Sequence, residues 1–351
     1  MKVWEPIKQK LSDPIAGLQF SGDGTIFRKI AFCVLGILII FMVIVGMYWS
    51  REPAEFSISQ NTAAKLAVDG NQYVVGAATT SALIQVAETL LGKPGGYLTN
   101  DVMPPGVYLD NIPNWEFGAL VQVRDLSRAF RESFSRSQSQ SVEDPDLIIS
   151  EPRFHFDNDS WLFPPTEVEY NEAVESLYSY LGRISDPQDV DAQFFARADN
   201  LANWLLDVES RLGSLSQRLS ASVGQERINT DLMGESVTER SALASSEAVI
   251  RTPWLQVDDV FYEARGASWA LMHFLVAVRK DFEQVLKDKN AMTSLDQIIR
   301  ELEASLRTMF FPIILNGSGF GIFANHSLTM ANYISRANAA IIDLRNLLEQ
   351  G

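Results

Sequence analysis

Two groups of polar residues have the types and spacing that could support chemistry, and the first is the carboxyl group of Glu116. Glu116 stands between Trp115 and Phe117, and apolar neighbours raise the pKa of a carboxyl group. An acid of this kind is what an enzyme that cleaves cell-wall glycan uses to protonate its leaving group. The alternative is a glutamate in the first turn of a helix, where the helix dipole favours negative charge. Glu116 is therefore a candidate catalytic acid with a structural alternative.

The second group is His155, Asp157 and Asp159, which alternate within FHFDNDSW (154–161). Alternation over this length reads as a strand, and alternate residues of a strand point to one face. An imidazole and two carboxylates on one face are candidate metal ligands, and His155 and Asp157 are also candidate catalytic residues. The alternative is a polar turn, because Asp-Asn-Asp favours turns.

Further catalytic sets are hard to assemble from this sequence. It has three histidines and a single cysteine, Cys33, which lies in an apolar segment, so a Ser-His-Asp or Cys-His site is hard to build. Hydrolase, zinc-protease and phosphate-loop motifs are absent from the sequence. We therefore expect no cofactor and no resident metal, and we favour a non-enzymatic role.

The apolar segment from Ile30 to Trp49 contains no charged residue. Twenty helical residues span about 30 Å, the thickness of the hydrocarbon core of a bilayer, and Tyr48 and Trp49 suit an interfacial aromatic belt. The segment before the span holds five basic residues, which are Lys2, Lys8, Lys10, Arg28 and Lys29. The segment just after the span holds fewer. The positive-inside rule then predicts three parts: a cytoplasmic tail (1–29), a transmembrane helix (30–49) and an exported domain (50–351).

The net charge of the exported part limits the classes of partner that it can bind. Five of the 29 basic and three of the 44 acidic residues lie in the first 49, which leaves 24 basic against 41 acidic residues, a net charge of −17. This charge repels nucleic acid, so we expect no nucleic-acid partner. The part after the span also lacks cysteine, so its stability must come from a packed core.

Helical periodicity dominates the exported part. Leucine and valine recur from Leu201 to Leu219 at alternating intervals of four and three residues, the pattern of a coiled-coil seam. Thr166 and Glu169 match a capping box, and Asp186 with Pro187 predicts a helix start. The predicted helices cover about 80–91, 115–136, 166–184, 186–219, 257–287, 293–309 and 327–348. The fold class is therefore mainly α: one transmembrane helix, then a multi-helix bundle with long irregular loops such as 92–114. Residues 221–252 are polar and weakly patterned, which fits either a helical excursion or a flexible connection.

Several segments resemble an uncharacterised family of single-span envelope proteins from Gram-negative bacteria. The segments are GKPGGYLTND (92–101), PPG (104–106), LDNIPNWEFG (109–118), SRSQSQSVEDPDL (135–147), RADNLANWLL (197–206) and RLGSLSQRLSASVG (211–224). The resemblance implies an inner-membrane protein with a helical periplasmic body. It implies no activity, cofactor or catalytic residue.

Three functional hypotheses follow. The first is a scaffold or interaction module that binds an envelope protein, or a second copy of itself, through a helix face or the 92–114 loop. The second is an enzyme that acts on cell-wall glycan through Glu116 or the group around His155. The third is a ligand-binding sensor, which would need a separate output partner because residues 1–29 contain no output domain.

Overall fold

The computed structural model describes residues 24–137, 142–189, 191–228, 247–309 and 313–350 of the 351-residue chain. Within these ranges the protein is mainly α-helical, as the sequence predicted. Two short strands, β1 (Gln225–Ile228) and β2 (Glu247–Ile250), form an antiparallel pair that the sequence did not predict, since a helical excursion or a flexible connection was expected there. The α-helices are α1 (Gly24–Trp49), α2 (Ile58–Asp69), α3 (Ala77–Gly92), α4 (Asn111–Ala129), α5 (Pro145–Phe154), α6 (Thr166–Ile184), α7 (Ala198–Ser220), α8 (Val257–Asp281), α9 (Glu283–Asp288), α10 (Met292–Ser305) and α11 (His326–Glu349).

The chain divides after Met47 into two compact units, and we refer to the second, Tyr48–Gly351, as the body. Most of α1 belongs to the first unit. Its segment Arg28–Trp49 has 22 residues with a mean hydropathy of 3.1, and it is the one helix in the described ranges that is long and apolar enough to cross a membrane. A helix of this kind near the N-terminus is consistent with a single-pass anchor or a signal sequence.

The body is organised around α4 and α8, which lie side by side and run in the same direction. Near their starts, the Asn114 side chain donates to Asp259 at 2.8 Å. Just beyond their ends, the rings of Phe134 and Phe282 lie with their centroids 5.5 Å apart. The remaining helices of the body surround this pair, so the bundle has two distinct ends.

We call one end of this bundle the entry end, because the first residues of the body lie there. It carries the N-termini of α4, α6, α8 and α11 and the C-termini of α3 and α10. The Trp49 ring packs on Gly95, just after α3, and Glu52 pairs with Arg265 of α8. The opposite end, the far end, carries the start of α3 and the end of α8.

Helix α7 pairs with α11 in the antiparallel sense. Arg345 of α11 donates to Glu209 at 3.0 Å, and Ser216, further along α7, lies beside Ala331 near the start of α11. The predicted seam is confirmed as the buried face of α7, since Leu201, Leu205, Val208, Leu212, Leu215 and Leu219 are all buried. The seam therefore packs within a multi-helix bundle.

One predicted helix start is wrong, and one predicted capping box is not formed. Asp186 accepts the Gln188 amide in a turn, but α7 begins only at Ala198. The residues before Ala198 are instead irregular, because Phe194 packs between aromatic rings at the far end and contacts Phe130, Phe134 and Phe282. Thr166 is the first helical residue of α6 rather than its cap. Its hydroxyl donates to carbonyls of the preceding loop, so burial against that loop replaces the capping box.

Candidate functional site

The strongest sequence candidate, Glu116, lies in the second turn of α4 and is completely buried. Its carboxylate accepts hydrogen bonds from the loop that precedes α4. The amide of Leu98 donates at 2.9 Å, the amide of Thr99 at 2.8 Å and the hydroxyl of Thr99 at 2.5 Å. The carboxylate therefore serves as an anchor for the backbone of this loop.

The ammonium group of Lys93 completes this site. Lys93 directly follows α3, is 6% exposed and forms an ion pair with Glu116. It also donates to the carbonyl oxygen of Gly96 at 2.5 Å. Gly95 and Gly96 both have positive φ, at 92° and 74°, which turns the loop back over the pair. The segment GKPGGYLT therefore supplies the counterion and the donors for Glu116.

The electrostatics of this site explain what Glu116 can do. Burial raises the pKa of Glu116, and the nearby charge of Lys93 together with the hydrogen bonds from Thr99 and Leu98 opposes this shift. The direction agrees with the raised pKa expected from the sequence, and its main cause is the complete burial of the carboxyl group. With both oxygens bound to protein donors, the arrangement fits a clamp that joins α3, the loop and α4.

The second candidate group does not form the predicted strand. Phe154 is the last residue of α5, and His155 is its C-terminal cap. The imidazole Nδ1 of His155 lies 3.0 Å from the carbonyl oxygen of Glu151, whereas Asp157 and Asp159 follow outside any helix or strand. Without a strand, the residues do not share one face. In the described ranges, no group of three or more His, Cys, Asp and Glu side chains is placed to hold a metal ion.

A second buried charged site escaped sequence analysis. Arg265 of α8 is 3% exposed and binds Glu52 through two nitrogens, at 2.6 and 2.5 Å. The same guanidinium donates to three carbonyl oxygens at the end of α10, those of Ser305, Leu306 and Arg307. Glu52 comes three residues after the end of α1, so this contact fixes the start of the body to α8 and α10. The available signal was an arginine inside the small, apolar run 264–272 of α8.

Replacing Arg265 with methionine is expected to lower the free energy of unfolding by about 3 kcal/mol, because Glu52 and three carbonyls lose their buried donor. The control is Arg279→Met on the same helix. Arg279 pairs with Asp296 at 2.6 Å, but its side chain is half-exposed, so its loss is expected to cost less than about 1 kcal/mol. Urea denaturation followed by tryptophan fluorescence measures both. Equal losses would show that the Arg265 contact adds nothing beyond a surface pair.

His273 fixes the next part of the same segment. Its Nε2 accepts the amide hydrogen of Phe56 at 3.1 Å, and its Nδ1 lies 2.7 Å from the carbonyl oxygen of Trp269. The Phe56 ring stacks on the imidazole at a centroid distance of 4.0 Å. These contacts require the neutral imidazole with its proton on Nδ1. Burial lowers the pKa of His273 to about 4.

This lowered pKa predicts a pH dependence of stability. The unfolded chain binds a proton at His273 near pH 6.5, whereas the folded chain resists it until about pH 4. Stability is therefore fully present above pH 6.5 and is lost as the pH falls from 6.5 towards 4. Between pH 7 and pH 5 the wild type should lose about 2 kcal/mol more than His273→Gln. Parallel unfolding curves for the two proteins over this range would contradict the assignment.

At the far end, Asp281 joins three segments in a similar way. It is buried at the end of α8 and accepts the amide and the hydroxyl of Thr79, at 2.7 and 2.6 Å. It also accepts the hydroxyl of Tyr73 at 2.6 Å. Thr79 lies in the first turn of α3, so Asp281 satisfies an N-terminal amide of that helix from outside.

Residues 23–351 match the model of a family described as uncharacterised protein conserved in bacteria (DUF2333). No curated protein matches the chain, and no solved structure matches it.

Proposed function

The chain belongs to this family of uncharacterised bacterial proteins, and from that premise we propose that it is a non-enzymatic interaction module of the cell envelope. A single N-terminal helix holds it at the inner membrane, with its N-terminus in the cytoplasm and its body in the periplasm. Arg28–Trp49 supplies the length and hydropathy of a span, and the excess of basic residues before it favours this orientation.

The observation that carries the proposal is that the buried charged groups hold separate segments of the chain together. Glu116, Arg265 and Asp281 each join two or more separate chain segments through short hydrogen bonds. A catalytic acid or base needs a face open to substrate, whereas these groups direct their polar atoms at backbone amides, carbonyls and counterions. Their contacts favour a structural role for these groups over a catalytic one.

The fixed start of the body also supports a role at the membrane. Glu52 and Phe56 are held by Arg265 and His273 within a few residues of the end of α1. The packed body therefore begins within a few residues of the proposed span, with no long linker between them. A short connection of this kind suits a module that acts at the membrane.

Site-specific photo-crosslinking in intact cells tests this function. A photoreactive residue is placed at Leu206 on α7 or Val168 on α6, whose side chains are 50% and 45% exposed. Phe41 in the span is the control. The expected result is that a body position gives a discrete adduct with another envelope protein. This adduct should be lost when a neighbouring exposed residue is changed to aspartate, while the abundance of the protein stays unchanged.

Two results would contradict this proposed function. If neither body position nor any other exposed position of the body gives an adduct, the interaction module is wrong. Degradation of cell-wall glycan by the purified protein, abolished in Glu116→Gln, would replace it with the enzyme hypothesis.

A further inference from the structure

The exposed apolar side chains of the body are concentrated in four loops, which we call the apolar tips. Every exposed Trp and Phe of the described body lies in them. Phe163 is 89% exposed, Trp254 is 81% exposed, and Phe320 is fully exposed. A concentration of large, exposed apolar side chains usually marks a surface that contacts another protein or a membrane. The apolar tips are 102–108, 161–163, 254–255 and 313–323, with Met103, Tyr108, Trp161, Leu162, Leu255, Ile322 and Phe323 among their exposed members.

All four apolar tips lie at the entry end. The first two are joined, because Asn100 donates to the carbonyl oxygen of Ser160 at 2.9 Å. The third precedes α8, whose start lies beside the start of α4. The fourth precedes α11, where the ring of His326 lies 6.4 Å from that of Phe261 near the start of α8. The tips therefore come from distant parts of the chain but end on one side of the bundle.

The body begins at this same end. The Trp49 ring lies so close to Gly95 that a Cβ there would be 2.8 Å from the ring, and Gly95 belongs to the loop that leads into the first apolar tip. Glu52 is held beside the end of α10, which leads towards the fourth apolar tip. The chain therefore enters the body at the end that carries the apolar tips.

We propose that the apolar tips insert into the interfacial region of the bilayer in which α1 is anchored. Aromatic and aliphatic side chains favour this region, where rings sit at the level of the headgroups. Acidic residues flank the tips, with Asp101 and Asp110 around the first and Asp258 after the third. Attraction to anionic headgroups therefore contributes little, and the occupant is a neutral phospholipid surface. This inference rests on the proposed membrane anchor.

Spin-label accessibility in proteoliposomes tests the inference with the full chain. The protein has one cysteine, Cys33 in α1, so single labels are easily placed. In a Cys33→Ser background, cysteines replace Tyr108, Phe163 or Phe320. The control is Val68→Cys, because Val68 is also apolar and is 81% exposed but lies at the end of α2, near the far end. The vesicles are phosphatidylcholine, without and with added anionic lipid.

The expected result is that labels in the apolar tips lose most collisions with a water-soluble nickel chelate and keep collisions with oxygen. The Val68→Cys label should collide freely with the chelate, and anionic lipid should change neither result. Tip labels as exposed as that at Val68 would overturn the inference. Tip labels protected from both reagents would also overturn it, because protein and not lipid would then cover them.

A label on the native Cys33 separates this inference from the proposed anchor. If Cys33 is protected from the chelate but the tips are not, the anchor holds and the interfacial insertion is wrong. If Cys33 is itself exposed to the chelate, both are wrong.

Discussion

Replacing Glu116 with alanine should lower the free energy of unfolding by about 4 kcal/mol. The change leaves the buried ammonium of Lys93 without its counterion, and the amides of Leu98 and Thr99 lose their acceptor. An uncompensated buried charge is far more costly than a lost surface pair, because it cannot be solvated. Urea denaturation of the purified full chain, followed by tryptophan fluorescence, measures the loss.

The double variant Lys93→Met with Glu116→Leu is the matched control. It removes both charges together, so it should recover at least half of the stability lost in Glu116→Ala. The same experiment separates the structural from the catalytic hypothesis. The clamp predicts that the isosteric Glu116→Gln variant also loses stability, because Lys93 again lacks its counterion, whereas a purely catalytic acid would lose only glycan turnover. Full stability in Glu116→Ala would contradict the clamp.

The second large effect is expected at the closest contact between α4 and α8. A Cβ on Gly118 would overlap the carbonyl oxygen of Glu263, and a Cβ on Gly266 would overlap that of Trp115. Either alanine variant forces the two central helices apart, because backbone atoms cannot rotate out of the way. The expected loss is about 4 kcal/mol, above the usual range for overpacking against side chains.

Gly213→Ala is the control for this prediction. Gly213 lies in the middle of α7, and its added Cβ would meet only the Asn338 side chain, at an ordinary 3.6 Å. Removing a glycine from a helix interior should stabilise the protein by about 0.5–1 kcal/mol. Opposite signs for Gly118→Ala and Gly213→Ala are therefore expected. Similar thermal unfolding midpoints for the two variants would contradict the close contact.

Helices with a long, regular apolar stripe could be predicted from the sequence. The last helix was expected from about residue 327 to 348 and spans His326–Glu349, and the helix from residue 257 begins at Val257 as expected. Its end was placed too late, because Phe282 is buried at the far end and interrupts the helix before Glu283. A stripe reports which face is buried, but it does not report where another element blocks the helix.

The loop at 92–114 was predicted as a long irregular segment, and the structure divides it into a buried and an exposed half. Tyr97 and Leu98 are buried beside Glu116, but Met103 and Tyr108 are exposed. Composition alone cannot separate these two sets, because both are apolar residues among glycines and prolines. The division follows from the lysine and glutamate that hold the first half of the loop.

The partners of the buried charges were beyond sequence reasoning. Lys93 and Glu116 lie on different elements, and Glu52 lies 213 residues from Arg265. Local spacing identifies pairs within one helix or strand, whereas these pairs depend on how the bundle assembles. The alternation at His155 failed for a related reason, since eight residues that alternate can equally be a helix end followed by a turn.

The central claim is a body held on the outer side of a membrane by one helix, and cysteine labelling tests it most directly. In a Cys33→Ser background, Glu303→Cys places a single thiol on the exposed face of α10. We expect a membrane-impermeant maleimide to label this thiol in intact spheroplasts. We also expect the labelled protein to stay in the membrane pellet after a carbonate wash. Labelling only after lysis, or release of the intact chain by carbonate, would contradict it.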